Sequence, residues 1–247
     1  MFNCVHLAVE RTSKMFKSKK SRIITGVIAA ALVLTIGIGG TMLYLTDNDS
    51  ATNTVSVGSV DVTVEEPNWD PPTDPVVPNQ ELAKDPQVKN EGLNDAIVFL
   101  KMTVPVENIT LTADDGTKGT KAKSELFWFK QAADGASTHA NNFNSNWVHL
   151  ESKDAGTDLS GTTRTYVFAW HEALAPNATT GTLFDKIQVK NFIENEITAG
   201  AQKDIDIKTY AIQASEILEN NADITDTLSA TNLAKIYDVY VTQNPAS

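Results

Sequence analysis

Hydrophobic residues follow two different patterns on either side of residue 45. Residues Ile23–Leu45 form a predominantly apolar run in which no side chain is charged. Downstream of this run, apolar and polar residues alternate over short segments that are separated by Gly, Pro or Asn. About 20 apolar residues in a helix span the hydrocarbon core of a bilayer, whereas alternation is typical of strands with one buried face. The pattern therefore predicts one membrane-inserting helix followed by a β-rich body.

The flanks of the apolar run indicate export. Four basic residues precede it, namely Lys17, Lys19, Lys20 and Arg22. Basic flanks stay in the cytoplasm, so the C-terminal body is sent out of the cell. Residues 17–45 are interpreted as a signal peptide or, alternatively, as a retained transmembrane helix. The expected cleavage region consists of Thr41, Met42, Leu43 and Tyr44, with Leu43 where a small residue is usual.

We divide the chain into four parts. Residues 1–16 are an N-terminal extension that contains the only cysteine, Cys4, and we expect translation to start at Met15 instead. Residues 17–45 are the export segment, residues 46–54 are a small polar hinge, and residues 55–247 are one β-sandwich domain.

A valine-rich segment follows the hinge. Valines alternate with polar residues in two runs, Val55 and Val57, then Val60, Val62 and Val64, and Gly58 shifts the phase between the runs. This pattern predicts one long strand with a bulge or bend at Gly58. A β-segment next to a flexible hinge can either fold into its own domain or add to the sheet of another chain. We predict strand addition and keep folding into its own domain as the alternative.

Short alternating segments continue to the C-terminus. Strands are predicted at Lys84–Asn90, Ala96–Val106, Leu126–Lys130, Asn146–Leu150, Thr163–Trp170, Leu183–Val189 and Ile205–Gln213. Residues Leu228–Val239 fit a short amphipathic helix with Leu228, Leu233, Ile236 and Val239 inward. Many short strands without a βαβ rhythm predict an all-β fold, an antiparallel, jelly-roll-like β-sandwich.

Charge and cysteine content narrow the function. Residues 46–247 carry 14 basic and 30 acidic side chains, and such a surface repels nucleic acid. No cysteine follows Cys4, so the body has no disulfide and must be stabilised by its core, a metal or assembly. We expect no cofactor and no nucleic-acid partner.

Two stretches resemble the TasA/camelysin family of exported Gram-positive proteins. The first contains Gly39-Gly40-Thr41, Tyr44-Leu45-Thr46-Asp47 and Asn53-Thr54 through Gly58 to Val62; the second matches the family pattern at Pro78, Lys84, Val88, Asn90 and Gly92. The chain departs from the pattern at Met42-Leu43, where Ala is usual, and at Asn79, where Gly is usual.

The resemblance implies a jelly-roll body, processing by a SipW-type signal peptidase, and a role in extracellular fibres or biofilm matrix. In such fibres the N-terminal segment of one subunit completes the sheet of the next. Expected partners are therefore further copies or a related matrix subunit, the signal peptidase, and the membrane through Ile23–Leu45 before cleavage. Camelysin members are also described as metallo-endopeptidases, so this activity is the main alternative; a membrane-anchored sandwich that binds a cell-wall or host ligand is the third.

Candidate catalytic and binding residues are few. A zinc-protease helix needs two histidines four residues apart, but the nearest match, His171-Glu172, has Ala175 in place of the second histidine. His139 and His149 are the other histidines of the body. The Asp114–Thr117 turn is a weak calcium candidate, and the Phe127–Phe129 aromatic triplet fits core packing better than sugar stacking. We therefore predict an exported, non-enzymatic protein of the cell surface or matrix.

Overall fold

A computed structural model describes residues 59–198, 200–215, 217 and 228–245. These residues form ten strands and one long helix. The strands are β1 Val62–Glu65, β2 Glu81–Ala83, β3 Gln87–Asn90, β4 Ala96–Ile109, β5 Ala122–Glu125, β6 Phe127–Lys130, β7 Trp147–His149, β8 Thr163–Trp170, β9 Lys186–Val189 and β10 Asp206–Gln213; the helix, α1, is Ala230–Gln243. A short 3-10 turn lies at Glu151–Lys153.

Every strand pairing is antiparallel. The largest sheet has the order β10-β4-β8-β7, with β5 paired to the end of β4, and a three-stranded sheet has the order β2-β9-β6. Strands β1 and β3 form a separate two-stranded sheet. The sheets curl into a half-barrel. The prediction of a mostly β, antiparallel fold is therefore confirmed.

Strand β4 organises the core because both of its faces are buried. Val98, Leu100 and Met102 face a main cluster shared with the three-stranded sheet, whereas Ile97 and Phe99 face a second cluster. Alternate side chains of a strand point to opposite faces, so one strand can serve two cores. The main cluster also takes aromatic residues from β6, β7 and β8, including Phe129, Trp147, Phe168 and Trp170.

Helix α1 covers the second cluster. Its Leu233 and Ile236 are fully buried, and Leu228 and Val239 pack against the cluster as partly buried residues. Ser229 caps the helix by accepting a hydrogen bond from the Asn232 N–H, which satisfies one of the open donors of the first turn. The predicted C-terminal amphipathic helix is confirmed with other bounds, Ala230–Gln243 instead of Leu228–Val239. Leu228 packs against the cluster from the position before the N-cap.

Several predictions lie outside the described residues. They include the extension 1–16, the export segment with Thr41, Met42, Leu43 and Tyr44, the hinge, and Val55, Val57 and Gly58 of the first strand. Within the described part of the chain, no helix has the length and hydrophobicity needed to cross a bilayer.

Candidate functional site

The valine-rich segment enters the described part of the chain at Ser59 and lies along β3. Strand β1 pairs with β3 from Val62 opposite Asn90 to Glu65 opposite Gln87. Towards the N-terminus, the backbone N–H groups of Glu91 and Gly92 donate to the Asp61 carbonyl, at 2.8 and 3.1 Å. The Leu93 N–H donates to the Ser59 carbonyl at 3.0 Å. We call Gln87–Leu93 the strand seat, because its main chain holds Ser59–Glu65 throughout.

Gly92 permits the close approach of the two chains in the strand seat. A Cβ atom at this position would lie 2.5 Å from the Ser59 carbonyl oxygen and 2.8 Å from the Asp61 nitrogen. Both neighbours are backbone atoms, which no side-chain rotation can move away. Glycine at this position is therefore required for the segment to occupy the seat.

The predicted valines of this segment differ in burial. Val60 is 5% exposed and belongs to the main cluster, and Val62 packs against the same cluster as a partly buried residue. Val64 is also partly buried, but the cluster does not include it. Val60 thus provides the main apolar contact of the segment, while the hydrogen bonds of the seat come from the backbone.

A second contact fixes the chain just after β1. The Lys84 ammonium donates to both Glu66 carboxylate oxygens, at 2.7 and 2.9 Å, and lies 4.4 Å from the centre of the Trp69 ring. Asp85 accepts from the backbone and side-chain amides of Asn68. Trp69, in the proline-rich loop, thus lies against the body beside this ion pair.

The structure explains one further position that matches the family pattern, Asn90, and one position that departs from it, Asn79. Asn90 is fully buried; its side-chain amide donates to the Leu174 and Asn94 carbonyls, and its side-chain oxygen accepts from the Gly92 N–H. Asn79 has a φ of 67°. Glycine adopts this left-handed conformation most easily and asparagine tolerates it, which explains why Asn can replace the usual Gly after Pro78.

The three histidines of the body occupy separate environments. His149 lies on the Phe168 ring and contacts Asp154 through Nε2 at 3.0 Å. His139 lies 3.5 Å from Asp114, and His171 is 3.8 Å from its neighbour Glu172. Among the described residues, no group of three or more His, Cys, Asp or Glu side chains could hold a metal ion. The described donors therefore do not fit a zinc site.

A buried polar cluster in the barrel was not predicted. Glu125 accepts from Arg164 at 2.8 Å and from the Tyr166 hydroxyl at 2.8 and 2.9 Å. Burial, together with the Glu125 carboxylate, raises the pKa of Tyr166 well above its usual range. Tyr166 therefore stays a neutral donor, and the cluster links β5 to β8. Arg164 and Tyr166 share one face of β8, but their sequence spacing does not point to Glu125.

A pocket of about 350 Å³ opens beside the three-stranded sheet. It is lined by residues of five segments, namely Leu111, Thr112 and Ala113; Thr117, Lys118 and Gly119; Trp128; His139; and Lys190 and Asn191. Phe127 and Phe129 point into the main cluster, whereas Trp128 faces the pocket half-buried. The aromatic triplet is thus split between core and surface.

The turn that was considered for calcium forms one edge of this pocket. Asp115 accepts from the backbone N–H of Thr117, which lowers its pKa, and Gly116 has a φ of 83°. The carboxylate thus closes the turn on its own backbone. Thr117, the last residue of this turn, and Lys118, which follows it, line the pocket.

The N-terminal part of the chain is similar to a known protein family. A family model described as camelysin metallo-endopeptidase matches residues 18–132. This range includes the apolar run, the strand seat and the sequence up to the end of β6. No curated protein matches the chain. Both stretches that carry the resemblance fall within the matched range, so residues 18–132 are similar to the camelysin family.

Proposed function

We propose that this chain is an exported structural protein of the cell surface or biofilm matrix. Its subunits assemble when the N-terminal strand of one copy occupies the strand seat of the next. The observation that supports this proposal most strongly is how Ser59–Glu65 is bound. Main-chain hydrogen bonds hold it against the strand seat, where Gly92 permits the close approach, and Val60 is its one fully packed apolar side chain. Main-chain bonds do not depend on which copy supplies the strand.

Export and a jelly-roll-like sandwich are part of the same proposal. Similarity to the camelysin family supports a secreted or cell-surface location, and the basic, apolar start of the chain supports passage through the membrane. The antiparallel sheets around one main cluster support the sandwich. Removal of the export segment in the region Thr41–Tyr44 would free the hinge and the valine-rich segment for exchange.

Within one chain, the seat holds the chain's own β1, so assembly requires an exchange of identical segments. Such swapping needs little new interface, because each copy regains the contacts that it gives up. The two-stranded sheet of β1 and β3 has only four residue pairs. A small pairing of this kind opens more easily than the central pairs of β4 with β8 and β10.

The first test measures the mature N-terminus and the assembly state together. Protein is recovered from the cell surface and the medium, its N-terminal sequence is determined, and the same fractions are imaged by negative stain. We expect a terminus near Tyr44 together with filaments. A chain that keeps Ile23–Leu45 and forms no filaments would reject assembly and leave a tethered binding protein.

The second test targets the seat directly. Gly92→Ala places a Cβ against Ser59 and Asp61, whereas Gly161→Ala is a matched control because its nearest neighbours lie at 3.8 and 3.9 Å. We expect Gly92→Ala to abolish filaments while circular dichroism still shows the β-rich body, and Gly161→Ala to assemble normally. Filaments of Gly92→Ala equal to those of the unmodified protein would contradict the seat.

A metallo-endopeptidase is the second candidate, and the description of the matched family supports it. The separate environments of His139, His149 and His171 count against a zinc site in the described part of the chain. The test is the zinc content of the exported protein and its proteolysis of casein with and without a chelator. Stoichiometric zinc with chelator-sensitive cleavage would replace the structural proposal.

A further inference from the structure

Three lysines of the body are almost completely buried, and one of them differs from the others. Lys84, Lys130 and Lys190 are 6%, 0% and 7% exposed. Lys84 pairs with Glu66 at 2.7 Å and Lys130 pairs with Glu81 at 2.8 Å. No carboxylate among the described residues lies within 4.0 Å of the Lys190 ammonium. A buried charge without a carboxylate in contact is less well compensated than an ion pair, which sets Lys190 apart from the other two lysines.

The contacts of Lys190 compensate its charge only in part. Its ammonium lies 3.4 Å from the Ser124 hydroxyl oxygen and 3.8 Å from the centre of the Trp128 ring. Burial lowers the pKa of Lys190 to about 8, with Glu125 opposing the shift and Arg164 adding to it. A hydroxyl and an aromatic face stabilise a cation less than a carboxylate does.

The surroundings of Lys190 form a site that is open to small molecules. Lys190 and Trp128 both line the pocket of about 350 Å³, together with Lys118, His139 and Asn191. Small-molecule pockets begin at about this size. Two lysines in one pocket form a locally positive region in a body with 30 acidic and 14 basic side chains. His139, which lines the pocket, lies 3.5 Å from the Asp114 carboxylate.

We propose that this pocket binds an acidic sugar, with the sugar carboxylate between Lys190 and Lys118 and the ring against Trp128 and Leu111. A carboxylate would give Lys190 the charged partner that Lys84 and Lys130 already have. Asn191, Thr112 and Thr117 supply donors and acceptors for sugar hydroxyls. The apolar faces of a sugar ring pack on an aromatic side chain. The site binds its ligand independently of strand exchange.

The experiment is calorimetric titration of the exported protein with glucuronate, with glucose as the uncharged counterpart and glycerol phosphate as an anion without a ring. We expect glucuronate to bind at least tenfold more tightly than either. Lys190→Met should weaken glucuronate binding at least tenfold, whereas the exposed Lys208→Met, which changes the net charge equally, should leave it unchanged.

Proton uptake provides a second readout that a merely structural role would not move. At pH 8 about half of the Lys190 side chains are neutral, and a bound carboxylate favours the charged form. Glucuronate binding should then take up a fraction of a proton, seen as a dependence of the binding heat on the buffer. Other charged or ionisable groups near Lys190 are Lys118, His139, Glu125 and Arg164, so Lys190→Met is the control that must remove this uptake.

Four outcomes would overturn the proposal. They are the absence of glucuronate binding, equal binding of glucose, unchanged binding by Lys190→Met, and tighter binding of glycerol phosphate, which would assign the pocket to a phosphate-bearing polymer instead. Lys190→Met keeps the packing volume of the lysine stem, and a thermal unfolding curve confirms that the variant is folded before it is titrated.

Discussion

Lys130 and Lys190 lie on the same side of the three-stranded sheet, but the contacts of their ammonium groups differ. The Lys130 ammonium donates to the carboxylate of Glu81, the side-chain oxygen of Gln188 and the carbonyl of Gly135, at 2.7 to 2.9 Å. Lys190 has a long contact to a hydroxyl and a ring. The two buried lysines are therefore not equivalent. The Lys130 ammonium makes three hydrogen bonds within the fold and is called the saturated lysine below, whereas the Lys190 ammonium can still accept the carboxylate of the proposed ligand.

The loop after β6 produces this difference. Its carbonyls cover one part of the sheet face, where Asp134 accepts from Lys186, Gly135 accepts from Lys130 and Ala136 accepts from Gln188. The loop then reaches His139, at the rim of the pocket beside Trp128. Over Lys130 the sheet face is closed by hydrogen bonds, whereas beside Lys190 it borders an open pocket. Within this small sheet, the face around Lys130 is thus closed by hydrogen bonds of the fold, and the face around Lys190 borders the proposed binding pocket.

The largest effect is expected from removing the saturated lysine. Lys130→Met leaves the buried Gln188 oxygen without its donor, removes one of the two donors to the Gly135 carbonyl, and leaves Glu81 without its main partner. Removing one member of a buried pair typically costs about 3–5 kcal/mol, and because Glu81 remains 30% exposed we expect about 3 kcal/mol. The measurement is the free energy of unfolding in urea at pH 7.

The control is Lys123→Met, because among the described residues this exposed ammonium donates only to the carbonyl of Gly161. Exposed substitutions of this kind typically change stability by less than about 0.5 kcal/mol. A loss for Lys130→Met as small as that of the control would show that its three contacts contribute little. The contrast with Lys190 would then disappear.

Sequence reasoning predicted the strands with clear alternation and missed those without it. The bounds of β8 agree to the residue, whereas β2 and β5, with the sequences ELA and AKSE, lack an alternating apolar pattern. The second core was also missed, although the run Ala96–Leu100 is apolar throughout. Such a run is typical of a strand buried on both faces.

The candidate site could be predicted only in part. The valine-rich segment and Gly92 were visible as sequence patterns, but the role of Gly92 depends on how closely Ser59 and Asp61 approach. The two lysines were not distinguished at all. The partner of Lys130 lies 49 positions away in the chain, and a lysine's own neighbours in the sequence do not reveal whether a distant carboxylate reaches it.

A smaller effect of opposite sign is expected for the unpaired lysine. Lys190→Met replaces a desolvated cation with an apolar chain of similar length, and we expect a gain of about 1–3 kcal/mol at pH 7. The folded pKa of about 8 lies below the ordinary lysine pKa of 10.5, so the unfolded chain binds more protons between these two pH values. The stability of the unmodified protein therefore rises with pH across this window.

Urea unfolding at pH 7 and pH 10 measures this difference. The advantage of Lys190→Met should be largest below pH 8 and should shrink as the pH approaches 10.5, because the native protein no longer holds a buried cation there. An advantage that does not change with pH would trace the gain to packing alone. A loss of stability at pH 7 would show that Lys190 is already compensated.

The smallest effect is expected for the stability of the protein at acidic pH, where Lys130 acts through Glu81. The hydrogen bond from Lys130 lowers the pKa of Glu81, burial opposes this shift, and Lys186 adds to it. A lowered folded pKa stabilises the protein above the ordinary glutamate pKa of 4.5, and this contribution is lost as the pH falls through the folded pKa. In Lys130→Met most of this contribution is absent at every pH.

The difference in unfolding free energy between the unmodified protein and Lys130→Met should therefore be smaller at pH 3 than at pH 6. The difference for Lys123→Met, whose contact is a carbonyl, should stay constant. A gap that is equally wide at both values would mean that the Gln188 and Gly135 contacts, which do not titrate, account for the whole role of Lys130.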